Sequence, residues 1–472
     1  MPANSWPEND SYNELDAIGS LLSDLSEPQE LMAQTLQSTS SKSCYEARRR
    51  KAAVVLTIVW SGTIALHLVS WGSWFVIGLS TVFGIHALRV VFARPRRAPE
   101  PMSDQDLADC PYVSLVVAAK DEEAVISNLV RQLCSLDYPD EKYEVWVIDD
   151  NSTDKTPVLL KHLGQKYENL KVLRRAAAAS GGKSGALNQV LPLTQGEILA
   201  VFDADAQVPP DLLRRVLPLF EREEVGAVQM RKAIANADTN FWTQGQMAEM
   251  ALDAYVQQQR IAIGGIGDLR GNGQFVRRTA LERCGGWNEE TITDDLDLAF
   301  RLHLDQWEIE LLSYPAVEEE GVTSALALWH QRNRWAEGGS QRHLDYWRLI
   351  VSNRMGPRKT FDLIMFMLIH YILPTAGVSD LVMAIARNRP PVLMPVTSLT
   401  MTLSLMWMFI GLRRARRAEK FGFYAFFIIL LQTLRGTIYM LHWLVVMAST
   451  TARISVRPKR LKWVKTVHQG EP

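Results

Sequence analysis

The chain has 472 residues, 22% of them charged, and a formal net charge of −1. That length leaves room for more than one domain, and so small a net charge excludes a protein whose overall field draws nucleic acid. Its four cysteines, Cys44, Cys110, Cys134 and Cys284, show no CxxC pairing, which argues against a zinc site or a disulfide framework and fits a reducing compartment. Residues 1–47 read as an acidic, mostly disordered tail with a short helix near Leu21–Leu36. It lacks the basic n-region of a signal peptide. Ala52 to Leu88 is an uncharged run of 37 residues, right for two spans turning at Ser70-Trp71-Gly72-Ser73. Arg48-Arg-Arg-Lys51 and Arg94-Pro-Arg-Arg97 flank it, so residues 48–97 are expected to form a transmembrane hairpin with both basic ends cytoplasmic.

A polar, Pro-containing linker (98–110) leads into a stretch of different rhythm, 111–340. Strand-like runs at Val113–Ala119, Tyr143–Ile148, Leu170–Leu173 and Ile198–Phe202 alternate with helical spacing at Glu122–Leu136, Thr156–Tyr167 and Ser184–Leu193. That alternation predicts an α/β domain with a mostly parallel sheet covered on both faces. Ligands of such sheets bind beyond the carboxyl ends of the strands. Asp149 and Asp150 fall at one such end, Asp203 and Asp205 at another, so they are expected to share one crevice.

The candidate chemistry lies in the loops. Val201-Phe-Asp-Ala-Asp-Ala206 offers two carboxylates one residue apart, able to reach one hard cation and a phosphate bound to it. Lys120-Asp-Glu-Glu123 and Asp149 to Asp154 offer acceptors for a base and a ribose, with Asn151 or Ser152 as a plain helix cap otherwise. Gly181-Gly-Lys-Ser-Gly-Ala-Leu-Asn188 opens a helix and can hold a diphosphate through backbone N–H groups and Lys183, although it is not a Walker A loop. Gly271, Asn272 and Gly273 allow close backbone approach before Arg277 and Arg278. Asp294 and Asp295 start an amphipathic helix, where carboxylates are favoured. Gln331-Arg-Asn-Arg-Trp335 brings two cations, an amide and an aromatic plane.

Past residue 340 the chain turns apolar again. Leu344, Trp347, Ile350 and Val351 form a helical stripe, read as an interfacial helix over 341–360 or as an ordinary packed surface helix. Residues 361–452 form a C-terminal transmembrane region. Leu363–Ser379 and Pro390–Leu412 are spanning candidates, the second closed by Arg413-Arg-Ala-Arg-Arg417. Phe421–Leu434 and Gly436–Ala452, split by Arg435, read as one long tilted helix or as an interfacial helix plus a span. The basic tail 453–472 suits anionic lipid.

In this order the motifs resemble those of the inverting family-2 glycosyltransferases with the nucleotide-diphospho-sugar (GT-A) fold, over Pro111 to Gly339. The resemblance implies that Asp149 or Asp150 contacts uracil, that Asp203 and Asp205 hold the nucleotide and Mg²⁺ (or Mn²⁺), and that Asp295 is the general base. It implies that Lys183, Gln331, Arg334 and Trp335 bind the nucleotide sugar, with Gly271, Asn272, Gly273 and Asp294 around the donor and acceptor. One departure is Asp294, where many members have Glu. The whole layout, including Trp463-Val-Lys-Thr466, also resembles the cyanobacterial β-monoglucosyldiacylglycerol synthases. That resemblance implies transfer of one glucose from UDP-glucose to the 3-hydroxyl of 1,2-diacylglycerol in the bilayer, by a multi-pass protein of the plasma or thylakoid membrane. The alternatives are a processive polysaccharide synthase, for which the expected four to six spans are few, and a catalytically dead scaffold, which would be expected to lack the base or the metal carboxylates.

Overall fold

The computed structural model describes residues 41–416 and 422–456. The acidic stretch 1–40 and the basic stretch from Arg457 lie outside them.

The predicted rhythm of strands and helices is observed. β1 (Val113–Ala119), α3 (Ile126–Leu133), β2 (Tyr143–Asp149), α4 (Thr156–Lys166), β3 (Leu170–Arg174), α5 (Gly182–Val190) and β4 (Ile198–Phe202) follow one another in the order read from the sequence. Beyond them come α6 (Leu212–Val216), β5 (Val225–Ile234), α7 (Phe241–Ala262), β6 (Gln274–Arg277), α8 (Arg278–Arg283), α9 (Asp294–Leu304) and β7 (Glu308–Glu319). The seven strands form one sheet of order β3-β2-β1-β4-β6-β5-β7. Only β6 runs antiparallel to its neighbours, so the sheet is mixed but mostly parallel. Alternate strand residues divide between two cores. Leu115, Val117, Phe202 and Phe275 pack with α3, α4 and α6 on one face. Val116, Val201 and Val276 pack with α5, α8 and α9 on the other. Phe202 and Phe275 meet edge to face at 5.9 Å, and burying each ring contributes about 1.5–3 kcal/mol.

Register aligns the strand ends. Ala119 lies beside Asp149, and Val117 beside Phe202, so Lys120, Asp150 and Asp203 leave the sheet at one edge. α3 is shorter than predicted because the turn before it is tied to the neighbouring loop. The Glu122 N–H donates to Thr156 Oγ1 (2.9 Å), and the Glu123 carboxylate accepts the Lys155 N–H (2.9 Å). Neither Asn151 nor Ser152 caps α4. Asp154 Oδ1 accepts the Thr156 N–H (2.9 Å), while Ser152 Oγ accepts from Asp121 N–H (2.8 Å).

The apolar segments surround one end of this domain. α1 (Ser41–Leu68) and α2 (Gly72–Val91) form the early hairpin. α10 (Ala325–Asp345) and α11 (Trp347–Val351) lead to α12 (Pro357–Met367), a π turn (Leu368–Ile372), α13 (Leu373–Arg387), α14 (Met394–Ala415), α15 (Phe423–Met440) and α16 (His442–Val456). Among the described residues, five helical stretches are long and apolar enough to cross a bilayer: Ala47–Leu68, Gly72–Val91, Pro357–Arg387, Met394–Ala415 and Phe423–Val456. α1, α2, α13 and α14 share a core of Val76, Phe83, Ala376 and Val396. Asp380 holds them at the far end. It pairs with His67 Nε2 (2.7 Å) and accepts the backbone N–H groups of Val392 (2.8 Å) and Leu393 (3.1 Å).

Two expectations change. The last apolar region breaks at Leu441 and not at Arg435, which lies inside α15. The stripe of Leu344, Trp347, Ile350 and Val351 is divided between α10 and α11. Ile350 is buried with Phe300, Leu304 and Leu363, and Val351 is the exposed member at 67%. The stripe divides there because Tyr346 ends α10, its hydroxyl donating to Asp297 Oδ1 (2.9 Å).

α7 lies between the domain and the apolar helices, and small residues let them close on it. A Cβ on Gly411 would stand 2.3 Å from the Ala251 carbonyl oxygen, and one on Gly436 2.7 Å from Ala248 Cβ. Overpacking of this kind costs about 1–3 kcal/mol. Gly411→Ala should therefore lower the thermal midpoint of the detergent-solubilised protein by several degrees. Gly62→Ala, with nothing within 4 Å, should leave it unchanged or higher.

Candidate active site

The site is assembled beside the strand ends from stretches far apart in the sequence. After β2, Asp149 turns back into the loop, where its Oδ1 accepts the Ser152 N–H (2.9 Å). Its Oδ2 is buried without a hydrogen-bond partner, with Arg174 Nε 3.5 Å away. Asp150 pairs with Arg175 Nη1 at 2.6 Å and with Lys120 Nζ at 3.8 Å. Asp121, read as a possible ligand acceptor, instead accepts the Thr153 N–H (2.6 Å), and Glu123 is held by Lys155.

After β4, Asp203 keeps 39% of its side chain exposed and meets Lys183 Nζ at 2.5 Å. Lys183 reaches it from the first turn of α5, which starts at Gly181 in a left-handed conformation (φ 83°). Burial opposes the charge of Lys183. The carboxylates of Asp203, Asp294 and Asp295 outweigh it and hold the ammonium above its ordinary pKa. The Asp203 N–H donates to Asn272 Oδ1 (3.3 Å), and Asp205 Oδ2 accepts the Glu320 N–H (2.9 Å).

Asp294 and Asp295 are the first residues of α9, as the sequence predicts. Burial pushes both carboxyls up, and each stands in the field of another carboxylate. Asp295 is pushed up to about 6, first by burial and then by Asp294. Gly271 faces it, in a left-handed conformation (φ 81°), and a Cβ there would stand 3.3 Å from Asp295 Oδ2. Gly273 (φ 70°) has no room at all, since a Cβ would meet Val317 Cγ1 at 2.7 Å. Its N–H donates to Val201 O (3.0 Å), which ties this loop to β4.

The Gln331–Trp335 strip lies in α10. Burial lowers the pKa of Arg334, and the opposing fields of Asp203, Asp295 and Asp294 place its guanidinium among the site carboxylates. Arg332 turns the other way. Fully buried, it donates to Glu249 Oε2 (2.5 Å), to the Tyr439 hydroxyl (3.0 Å) and to Gln331 Oε1 (2.8 Å). Its guanidinium lies 4.0 Å from the Trp335 ring centroid. The two cations of this motif thus serve opposite sides of one helix, a difference invisible in their spacing.

Sequence reading missed Lys232. It lies within β5, pairs with Glu319 Oε2 at 2.7 Å, lies 5.5 Å from the Trp335 ring centroid, and opposes part of the rise in the pKa of Asp295. Glu249 was also missed, because nothing in the local pattern of α7 separates it from an ordinary helix-surface glutamate.

The donor set suits a divalent cation that is shared with substrate. Among the described residues no cluster of three or more His, Cys, Asp or Glu side chains is arranged to hold a metal. Two carboxylates completed by phosphate oxygens and water are the usual arrangement for Mg²⁺. The partly exposed Asp203, already facing an ammonium, fits that chemistry.

Residues 111–338 match the model of the family described as glycosyltransferase like family 2. Over 470 residues the chain is 68% identical to the β-monoglucosyldiacylglycerol synthase of Trichormus variabilis, covering 100% of this chain and 99% of that protein. It is 55% identical to the synthase of the same name from Synechocystis sp., covering 99% and 97%. Among solved structures, the mannosyltransferase of Pyrobaculum calidifontis in complex with GDP-Man and Mn²⁺ shares the fold, with a TM-score of 0.53 and 20% identity over 84% of this chain and 99% of that one. The chain is a glycosyltransferase and belongs to glycosyltransferase-like family 2, and within it to the family of the β-monoglucosyldiacylglycerol synthases.

Proposed function

We propose that the protein transfers one glucosyl unit from UDP-glucose to the 3-hydroxyl of 1,2-diacylglycerol with inversion, giving a β-glucosyl lipid. The observation that carries the reading is the meeting of Asp295, Asp203, Lys183 and Arg334 at one sheet edge. The names of the full-length relatives support the lipid product. Neither the relatives nor the helix bundle favours the processive polysaccharide alternative.

In this reading Asp149 Oδ2, a buried acceptor without a hydrogen-bond partner, takes a uracil N–H, with Asp150 beside it. Asp203 and Asp205 would hold a divalent cation, Mg²⁺ or Mn²⁺, which supplies charge neutralisation at the departing diphosphate. Lys183 and Arg334 add fixed positive charge there. Asp295 takes the proton of the acceptor hydroxyl as its oxygen bonds to the anomeric carbon. The bond from that carbon to the β-phosphate oxygen breaks on the opposite face, and UDP leaves with the electron pair. One base and back-side attack convert an α-linked donor to a β-glycoside. Gly271 keeps the space in front of Asp295 open, and Trp335, Gln331, Asn272, Gly273 and Asp294 shape the pocket. The catalytic domain lies on the cytoplasmic side, which the basic segments beside the apolar helices support. The same segments suit anionic lipid headgroups.

Asp205→Ala should abolish transfer, and excess EDTA should silence the wild-type protein. Full activity in EDTA would remove the metal from the scheme.

Asp295→Asn should lower transfer by roughly a hundred- to ten-thousand-fold, with UDP affinity near that of the wild type in calorimetry. Loss of UDP binding along with rate would make Asp295 a donor ligand. In the wild type kcat/KM should rise with pH through about 6, as Asp295 loses its proton. Stability follows the opposite sign. Asp295 ionises later in the folded chain than in the unfolded one, so its ionisation destabilises the fold. Asp295→Asn should therefore raise the thermal midpoint, with a gap that opens between pH 4 and 6 and stays constant above.

Mass spectrometry of lipid extracts should show one added hexose per acceptor. A ladder of hexoses or a water-soluble polymer would favour the processive reaction.

A further inference from the structure

The last apolar region, Phe423–Val456, is long enough to cross a bilayer, yet both of its ends return to the catalytic domain. Just before it, Arg414 Nη1 donates to Gln258 Oε1 of α7 (2.8 Å), and its guanidinium lies 4.7 Å from the Tyr255 ring centroid. Near its far end, Arg453 Nη2 donates to Asn333 Oδ1 of α10 (2.6 Å). Contacts with the domain continue in between. Gly436 packs on Ala248, the Tyr439 hydroxyl donates to Glu249 Oε2 (3.0 Å), Trp443 Nε1 donates to Glu249 Oε1 (2.8 Å), and Met447 packs with Ala336. A straight helix of 34 residues would extend about 51 Å, well beyond the roughly 30 Å of a hydrocarbon core. It would carry Arg453 to the opposite face from Arg414. Leu441 separates the stretch into α15 and α16.

We infer that α15 and α16 are not a fifth crossing but a bent pair lying in the bilayer leaflet on the catalytic side, so that four helices cross. The sequence charges agree. Arg413-Arg-Ala-Arg-Arg417 before the pair and the basic stretch after it both belong on the side of the catalytic domain, which requires an even number of crossings between them. The occupant of the outer face is lipid of that leaflet. Phe423, Phe427, Leu431, Leu434 and Ile438 follow helical spacing and are 48–82% exposed, while Ile429, Thr433, Gly436 and Tyr439 are buried on the opposite face. α15 lies beside α14, where Phe426 meets Phe409 edge to face at 5.7 Å. Through Glu249 and Tyr439 the pair also holds Arg332, and through Arg332 it holds Gln331 and Trp335. The strip beside the site carboxylates is thus braced from the lipid side. The inference concerns topology and stands whatever the acceptor is.

The test uses the full-length protein with Cys44→Ser and a C-terminal tag, in sealed vesicles whose catalytic domain faces outward. Cys110, Cys134 and Cys284 are buried and stay silent to a membrane-impermeant maleimide. Glu141→Cys on the domain and Arg389→Cys in the loop between α13 and α14, both exposed, mark the two sides. External protease should remove the tag completely, and Leu441→Cys should not be labelled from the side that labels Arg389→Cys. A tag protected from external protease would show a single crossing and overturn the inference. Leu441→Cys labelled from the same side as Arg389→Cys would show two crossings and overturn it equally.

Discussion

Three carboxylates, Asp203, Asp294 and Asp295, gather around one ammonium, Lys183, in a half-buried site. Burial makes each charge costly, and like charges at close range raise the cost further. Lys183 and Arg334 balance part of it, and Asp295 yields the rest by holding its proton to about pH 6. Such an arrangement receives a diphosphate only if more positive charge enters with it, which is why a shared divalent cation suits these residues. The same imbalance raises the proton affinity of Asp295 towards neutrality, as the base role proposed for it requires.

The sheet serves this charge cluster by register. Parallel pairing of β1 with β2 and β4 brings three loops to one edge, and the antiparallel β6 returns Gly271–Gly273 to the same place. Apart from Lys232 of β5, the strands bring only their carboxyl ends to the candidate site. Substitutions along β1 or β4 would act through packing alone, whereas the loop residues are fixed by hydrogen bonds between loops, such as Asp203 N–H to Asn272.

Attachment to the apolar helices depends on buried ion pairs. Arg48 meets Asp345 (2.5 Å), Arg260 meets Asp362 (2.7 Å), and Arg332 meets Glu249 (2.5 Å). Buried pairs add little net stability, because desolvation offsets their attraction. Breaking one partner away is costly, however, so the first two pairs specify how the domain sits on its helices, while Arg332–Glu249 joins α10 to α7. Of these pairs only Arg332–Glu249 also touches the candidate site.

The sequence alone determined the α/β alternation, the early hairpin, and the motifs that make up the candidate site, because these depend on local period and on short motifs. Alternating apolar runs, strand-end carboxylates and a helix opening on Asp294-Asp295 are properties of neighbouring residues. The tertiary structure decided what depends on distant ones. Arg332 and Arg334 are indistinguishable by spacing, and only Glu249 and Tyr439, 83 and 107 residues away from Arg332, send one into the interior while the other faces the carboxylates. Lys232 enters the site only because β5 pairs with β7 and carries it to Glu319. The packing of α15 and α16 on α7 and α10 is likewise a tertiary matter, since hydropathy measures how apolar a helix is and not which surface it meets.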